Sequence, residues 1–479
     1  MLVIPAQAGI HARGTAIPLG RAARAFASLR PSQAKGEEKR AALGFPTPFR
    51  RKGVAAKRRG DVVSAMRILV TGANGQVGYE LLRALAEARM GQPQSHPPHR
   101  AARAFAFAPP FASEGGGKAC DAAVAHPLPE EGGRAAGAGG CTPPREIIPA
   151  TRSGRLEGGT SCEAIDLADF DGLTQALDRI APDVIINAAA YTAVDRAEDE
   201  PELAQRVNGD ALGVLGAWAK QNGARVVHYS TDYVFDGRAT RPYRETDATH
   251  PVSVYGRSKL AGEDALRDSG ARHLIFRTAW VYAARGNNFL RTMLRLGAER
   301  DALRVVDDQI GAPTPARLIA EVTAQAIAQW STPPSTGRGG ATANARAAPM
   351  RSIGGMPTLD GTYHLVASGQ TSWCGFARAI FEKATSSRAS RAFASLRPSQ
   401  AKGDDSHPLP AEAGRAQRGG MLPRLPRVEA IGTADYPTKA KRPAFSVLDT
   451  TKLRAAFGIE LPDWQTALDE VIGELAGLN

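Results

Sequence analysis

The sequence predicts an α/β fold, a doubly wound parallel sheet with a smaller C-terminal lobe, and three observations predict it. Short apolar strands alternate with helical patterns from Met66 onward, the first strand runs through a glycine-punctuated turn straight into a helix, and small or hydroxylated residues follow the later strands.

Residues 67–71 (RILVT) are apolar and rich in β-branched side chains, as a strand buried on both faces must be, and residues 79–89 carry Leu81, Leu82, Leu85 and Ala88 at helical spacing. Between them stands Gly72-x-x-Gly75-x-x-Gly78. Glycines permit the tight turn, let backbone amides approach a pyrophosphate and let helix pack close on strand, while the helix N-terminus adds partial positive charge. A glycine trio alone occurs in many loops that bind nothing. With a strand before it and a helix after it, a dinucleotide-binding Rossmann-type unit is the stronger reading.

Residues 146–151 form the second predicted strand, and Arg152 follows it where an acidic residue favours NAD and an arginine accommodates a 2′-phosphate. Arg152 therefore points to NADPH, with a solvent-exposed loop arginine as the competing reading. Strands are expected at 163–166, 182–187 and 225–229, and helices at 172–180 and 204–220. Ala188, Ala189 and Ala190 leave room for a cofactor at the end of the fourth strand, although an alanine run also serves plain packing.

The chain has 479 residues and a formal net charge of +12, yet both figures mislead. Residues 1–65 hold 13 Lys+Arg against 3 Asp+Glu, and RAFASLRPSQAKG at 24–36 returns unchanged at 391–403. Segments 1–65, about 91–144, about 331–357 and about 385–425 lack apolar periodicity and are expected to be a disordered basic leader, with Met66 an alternative start, and disordered insertions. Together they carry more positive charge than the whole chain, so the remainder is mildly acidic and gives no argument for a nucleic-acid partner. The remainder divides into a cofactor-binding domain at 66–330, with parts of 240–320 contributing to the substrate lobe, and a C-terminal lobe at 331–479. Cys120, Cys141, Cys162 and Cys374 show no metal spacing and are expected as free thiols, and no apolar run reaches the ~20 residues of a membrane span.

Tyr255 and Lys259 stand four apart on one predicted helix face. A phenol beside an ammonium is a usable acid, because the positive charge favours phenolate and is expected to pull its pKa down toward working pH. Thr231, in STDYVF after the fifth strand, offers a hydroxyl to the same carbonyl oxygen.

With GANGQVG, PDVIINAAAYTAVDRAE, HYSTDYVFDG, VYGRSKLAGE, FRTAWVY, DDQIGAPT and RPAFSVLDTTKL all present, the chain resembles the extended short-chain dehydrogenase/reductases and, among them, the dTDP-4-dehydrorhamnose reductases. The resemblance implies NADPH- or NADH-dependent reduction of the 4-keto group of dTDP-4-dehydro-L-rhamnose in the cytoplasm, for lipopolysaccharide and O-antigen. It implies Thr231, Tyr255 and Lys259 as the catalytic trio, with Tyr255 and Lys259 also on the cofactor. Gly72, Gly75, Gln76, Val77 and Gly78 would line the pyrophosphate, Asp166 and Leu167 the adenine, and Ala188 to Ala190 the adenosine side. Thr231, Asp232 and Trp280 would contact the sugar. Some members carry Mg2+ at a subunit contact, which allows a homodimer; the residues themselves place no metal. A non-catalytic regulatory subunit on the same fold and another nucleotide-sugar reductase or epimerase are the competing readings.

Overall fold

The computed structural model describes residues 65–87, 145–331, 359–384 and 425–477. The expectations for the leader and insertions, with Cys120 and Cys141, lie outside these residues apart from boundary positions 65, 331 and 425.

Chain order gives β1 (Met66–Thr71), α1 (Gln76–Glu87), β2 (Arg145–Thr151), β3 (Glu163–Ala164), α2 (Phe170–Ile180), β4 (Val184–Asn187), α3 (Val194–Ala197) and α4 (Pro201–Gln205). A π-helical turn, Arg206–Asp210, leads into α5 (Ala211–Asn222), followed by β5 (Arg225–Thr231), α6 (Val254–Asp268), β6 (Arg272–Thr278) and β7 (Val281–Tyr282). Next come α7 (Phe289–Glu299), β8 (Ala302–Val306), β9 (Ile310–Gly311), β10 (Thr314–Pro315), α8 (Ala316–Ser331), β11 (Gly361–His364), β12 (Thr371–Ser372) and α9 (Trp373–Ala384). The last are β13 (Arg427–Ile431), α10 (Thr451–Phe457) and α11 (Trp464–Gly477).

The main sheet has seven parallel strands in the order β11-β6-β5-β4-β1-β2-β3. Read from its other edge it is the 3-2-1-4-5-6 order of a dinucleotide-binding sheet, extended by β11. The strands are apolar because both faces are covered. One side packs Leu81 and Leu85 of α1 with Ile319 and Ile327 of α8, the other Leu173 and Leu177 of α2 with Leu212 and Leu215 of α5. A third core, including Phe289, Met293, Leu303, Phe376, Ile380 and Leu468, joins α7, β8, α9 and α11.

Two expectations change. The predicted strand 163–166 shortens to Glu163–Ala164, and the predicted helix 204–220 breaks into α4, the π turn and α5. The break follows from tertiary contact: the Asn208 carbonyl lies so close to Gly262 that a Cβ there would stand 2.1 Å from it.

Candidate functional site

The residues singled out in the sequence gather at one edge. Gly72 to Gly78 follow β1, Arg152 follows β2, Asp166 and Leu167 follow β3, Ala188 to Ala190 follow β4, Thr231 ends β5 and Trp280 follows β6, with Tyr255 and Lys259 on α6. Open parallel sheets bind ligands beyond these strand ends where the order reverses, here between β1 and β4.

Two glycines shape the β1–α1 turn. Gly72 has φ +68°, and a Cβ on it would stand 2.7 Å from the Ala189 amide nitrogen; a Cβ on Gly78 would stand 2.1 Å from the Gly72 carbonyl oxygen. The turn is thereby pressed onto Ala188 and Ala189, and the amino end of α1 keeps a backbone cradle that fits a pyrophosphate. Asn74 braces it, donating to the Arg155 carbonyl and accepting from the Glu157 amide, both at 2.9 Å. Gln76 accepts from Asn288 Nδ2 at 2.9 Å. Arg152 is exposed at the first position past β2, Asp166 is exposed and Leu167 is buried.

Ser253 caps α6 by accepting from the Gly256 amide at 3.1 Å. This helix carries Tyr255 and Lys259, and its Tyr255 ring meets that of Tyr233 edge-on at 5.6 Å. Thr231 Oγ1 donates to Asp232 Oδ1 at 2.9 Å and accepts from the Tyr233 amide at 3.2 Å. Burial raises the Asp232 carboxyl to about 6, with the Ser446 and Thr231 hydroxyls acting against it.

The expected depression of the Tyr255 phenol is not found. Burial pushes it well above its ordinary value, the Asp232 carboxylate adds to this, and the Thr231 hydroxyl acts the other way. Lys259 is engaged elsewhere: its Nζ donates to the Tyr229 carbonyl at 2.6 Å and lies 3.1 Å from His228 Nε2. Burial lowers the ammonium to about 7, with Glu263 acting to raise it.

Trp280 takes φ +49° and stacks on Trp373, centroids 3.6 Å apart and planes within 7°. Cys162 and Cys374 are free thiols. Among the described residues no three His, Cys, Asp or Glu side chains stand together as a metal set, and no step runs through the Mg2+ implied by resemblance. No described helix is long and apolar enough to cross a membrane.

Sequence reasoning missed three features of this edge. Asn208 Nδ2 donates to the Tyr191 carbonyl at 3.0 Å and to Ser258 Oγ at 3.1 Å, tying the loop after β4 to α6. Glu263 and Arg277 form a buried ion pair. His228 is wholly buried in β5, and one signal could have found it, a histidine inside the otherwise apolar start of RVVHYST.

A family model described as the RmlD substrate binding domain matches residues 145–476. The dTDP-4-dehydrorhamnose reductase of Escherichia coli K12 is 41% identical over 310 residues, covering 65% of this chain and 85% of the relative. That of Burkholderia thailandensis is 38% identical over 410 residues, covering 86% and 99%. A crystal structure of a dTDP-4-dehydrorhamnose reductase from Clostridium acetobutylicum superposes with a TM-score of 0.56 at 27% identity, covering 86% of this chain and 99% of that one. With a family model spanning more than half its length and relatives matched over most of theirs, the chain belongs to the dTDP-4-dehydrorhamnose reductase family.

Proposed function

We propose that this protein is an NAD(P)H-dependent oxidoreductase that reduces the 4-keto group of dTDP-4-dehydro-L-rhamnose to give dTDP-L-rhamnose. The observation that carries the reading is that Thr231 ends β5 within reach of the Tyr255 phenol, and Lys259, on the same helix as Tyr255, is held to β5, at the carboxyl edge of the sheet that also carries the β1–α1 cradle. Cofactor contacts at Gly72 to Gly78, Arg152, Asp166, Leu167 and Ala188 to Ala190, and sugar contacts at Asp232 and Trp280, belong to the same proposal, as do a cytoplasmic homodimer and a product destined for cell-surface polysaccharide.

When bound, the reduced nicotinamide supplies a hydride to the carbonyl carbon. Tyr255 gives its phenolic proton to the carbonyl oxygen as negative charge develops there. Thr231, with its hydroxyl turned from Asp232 to the substrate, donates a hydrogen bond to that oxygen and so favours the charged transition state over the neutral ketone. Lys259 then stabilises the phenolate left behind.

The test is the purified protein mixed with dTDP- or UDP-linked 4-keto-6-deoxyhexoses and each reduced cofactor. Consumption of NADPH or NADH with the dTDP-4-keto sugar supports the proposal. No consumption with any of them favours a non-catalytic binding module on the same fold.

A further inference from the structure

Three neighbouring strands carry one polar residue each in a single row. Thr71 stands opposite Asn187 across β1 and β4, and Asn187 opposite His228 across β4 and β5. In-register partners on parallel strands share a face of the sheet, and all three are buried. Thr71 Oγ1 donates to Asn187 Oδ1 at 2.6 Å, Asn187 Nδ2 lies 3.3 Å from His228 Nδ1, and His228 Nε2 lies 3.1 Å from Lys259 Nζ. Leu69, Ile185 and Val226, two residues before the row on the same three strands, share its face of the sheet and are buried and apolar. Polar groups in such surroundings are costly to leave unpaired, so their pairing, and its end on Lys259, calls for an explanation.

We propose that His228 is the positioning residue of Lys259, a neutral imidazole clamped by Asn187 that holds Nζ in register with Tyr255. This rests on the Tyr255–Lys259 reading above and extends it to a residue that touches neither sugar nor cofactor. An ammonium only donates, so a charged Lys259 requires Nε2 as acceptor and places the ring proton on Nδ1, with the Asn187 backbone carbonyl as its acceptor, since the Asn187 side-chain oxygen already accepts from Thr71. Donation from Asn187 Nδ2 to Nδ1 suits the other charge state, in which Nε2–H donates to an uncharged amine. With His228 and the Tyr229 carbonyl each taking one ammonium proton, the third is free to point at the phenolate and the cofactor ribose.

Burial and the neighbouring Lys259 both drive the His228 imidazole well below its ordinary value, so the ring stays neutral. The other charged group acting on Lys259 is Glu263 on its own helix, which is paired with Arg277 on β6, and Lys259 in turn acts on His228. His228 is the titratable group whose side chain lies within hydrogen-bonding distance of Nζ.

The test compares His228→Leu, which removes the acceptor, with His228→Gln, which keeps a polar atom near the position of Nε2. In the Leu protein the ammonium loses one of its two acceptors, so the alkaline limb of the kcat/KM profile should move down by about one pH unit and KM for the cofactor should rise severalfold. The Gln protein should recover most of both. Leu and Gln proteins with equal defects, or a Leu protein whose limb and cofactor KM match the parent, would overturn the proposal. Should the Leu protein fail to fold, imidazole 15N NMR of the unmodified protein decides. A neutral His228 ring from pH 9 to 5 supports the clamp, and an imidazolium forming near 6.5 overturns it. Lys259→Met separates the layers: retained turnover there removes the Tyr–Lys reading itself, whereas a dead Met protein with an unchanged Leu protein removes only the role of His228.

Discussion

Glu263 and Arg277 meet as a two-pronged ion pair inside the protein, Nε to Oε1 at 2.9 Å and Nη2 to Oε2 at 2.7 Å, with Glu263 0% and Arg277 2% exposed. The pair fixes α6 to β6 one helical turn beyond Lys259, and the Arg277 guanidinium lies over the Phe235 ring at 5.1 Å. Arg267 also pairs with Glu263 from a half-exposed position, so the charge that a cut strands is the Arg277 guanidinium, at a cost of about 3–5 kcal/mol. Glu263→Met should lose about that much stability by denaturant titration; a loss below ~1 kcal/mol would show the guanidinium to be satisfied without the carboxylate.

Tyr255→Phe removes the proposed proton donor and little else. The phenol is buried against Tyr233, so the ring keeps its packing while kcat falls by about 10²–10⁴-fold, the usual worth of general acid catalysis. Cofactor affinity, followed by fluorescence titration, should stay within a factor of about two to three. A Phe protein with more than a tenth of the parent kcat sinks the assignment.

Acid should weaken the fold through two buried histidines. His228 is held well below 6.5 by burial and Lys259, and burial with Arg277 lowers His364 to about 3. Below pH 6.5 the unfolded chain therefore binds more protons than the folded one at both sites, at His364 down to about pH 3, and stability falls as pH falls. Asp232, raised to about 6, works in the opposite sense between 3.8 and 6, as do Glu80 and Glu245, which burial also raises, whereas Asp195, Asp236, Asp247 and Asp449 are held low and add to the loss in acid. Tm should thus drop as pH is lowered through this window, and His364→Gln should flatten the drop. A parent Tm that is level from pH 7 to 4 contradicts this.

Arg152, exposed past the end of β2, has its guanidinium open to a ligand. Arg152→Ala should weaken NADPH and leave NADH unchanged, because only NADPH brings a 2′-phosphate for a charge-assisted contact. Equal weakening of both, or of neither, reduces Arg152 to a loop arginine.

What could be read in the sequence was whatever has a local period or spacing. The glycines of the first turn, the strand–helix alternation and the Tyr255–Lys259 interval are short-range signals, and they led to the carboxyl edge of the sheet. The row from Thr71 to His228 was hidden because its members lie 116 and 41 residues apart and meet only through strand register. The π turn was hidden for a related reason, since local helix periodicity runs through 206–210 and only the approach of α6 to Asn208 breaks it. The phenol went the wrong way because spacing reports which face a side chain occupies and not how dry that face is. The lysine four residues on spends its hydrogen bonds on β5.

The stacked Trp280 and Trp373 give the molecule its own optical reporter. Two indoles face to face at 3.6 Å couple their electronic transitions, so the folded protein should carry a paired positive and negative band in its circular dichroism with no label attached. Trp280 holds this stack from a left-handed backbone conformation that a bulky side chain adopts only at an energetic cost. A ligand that parts the rings would erase the band, so spectroscopy alone would time its arrival.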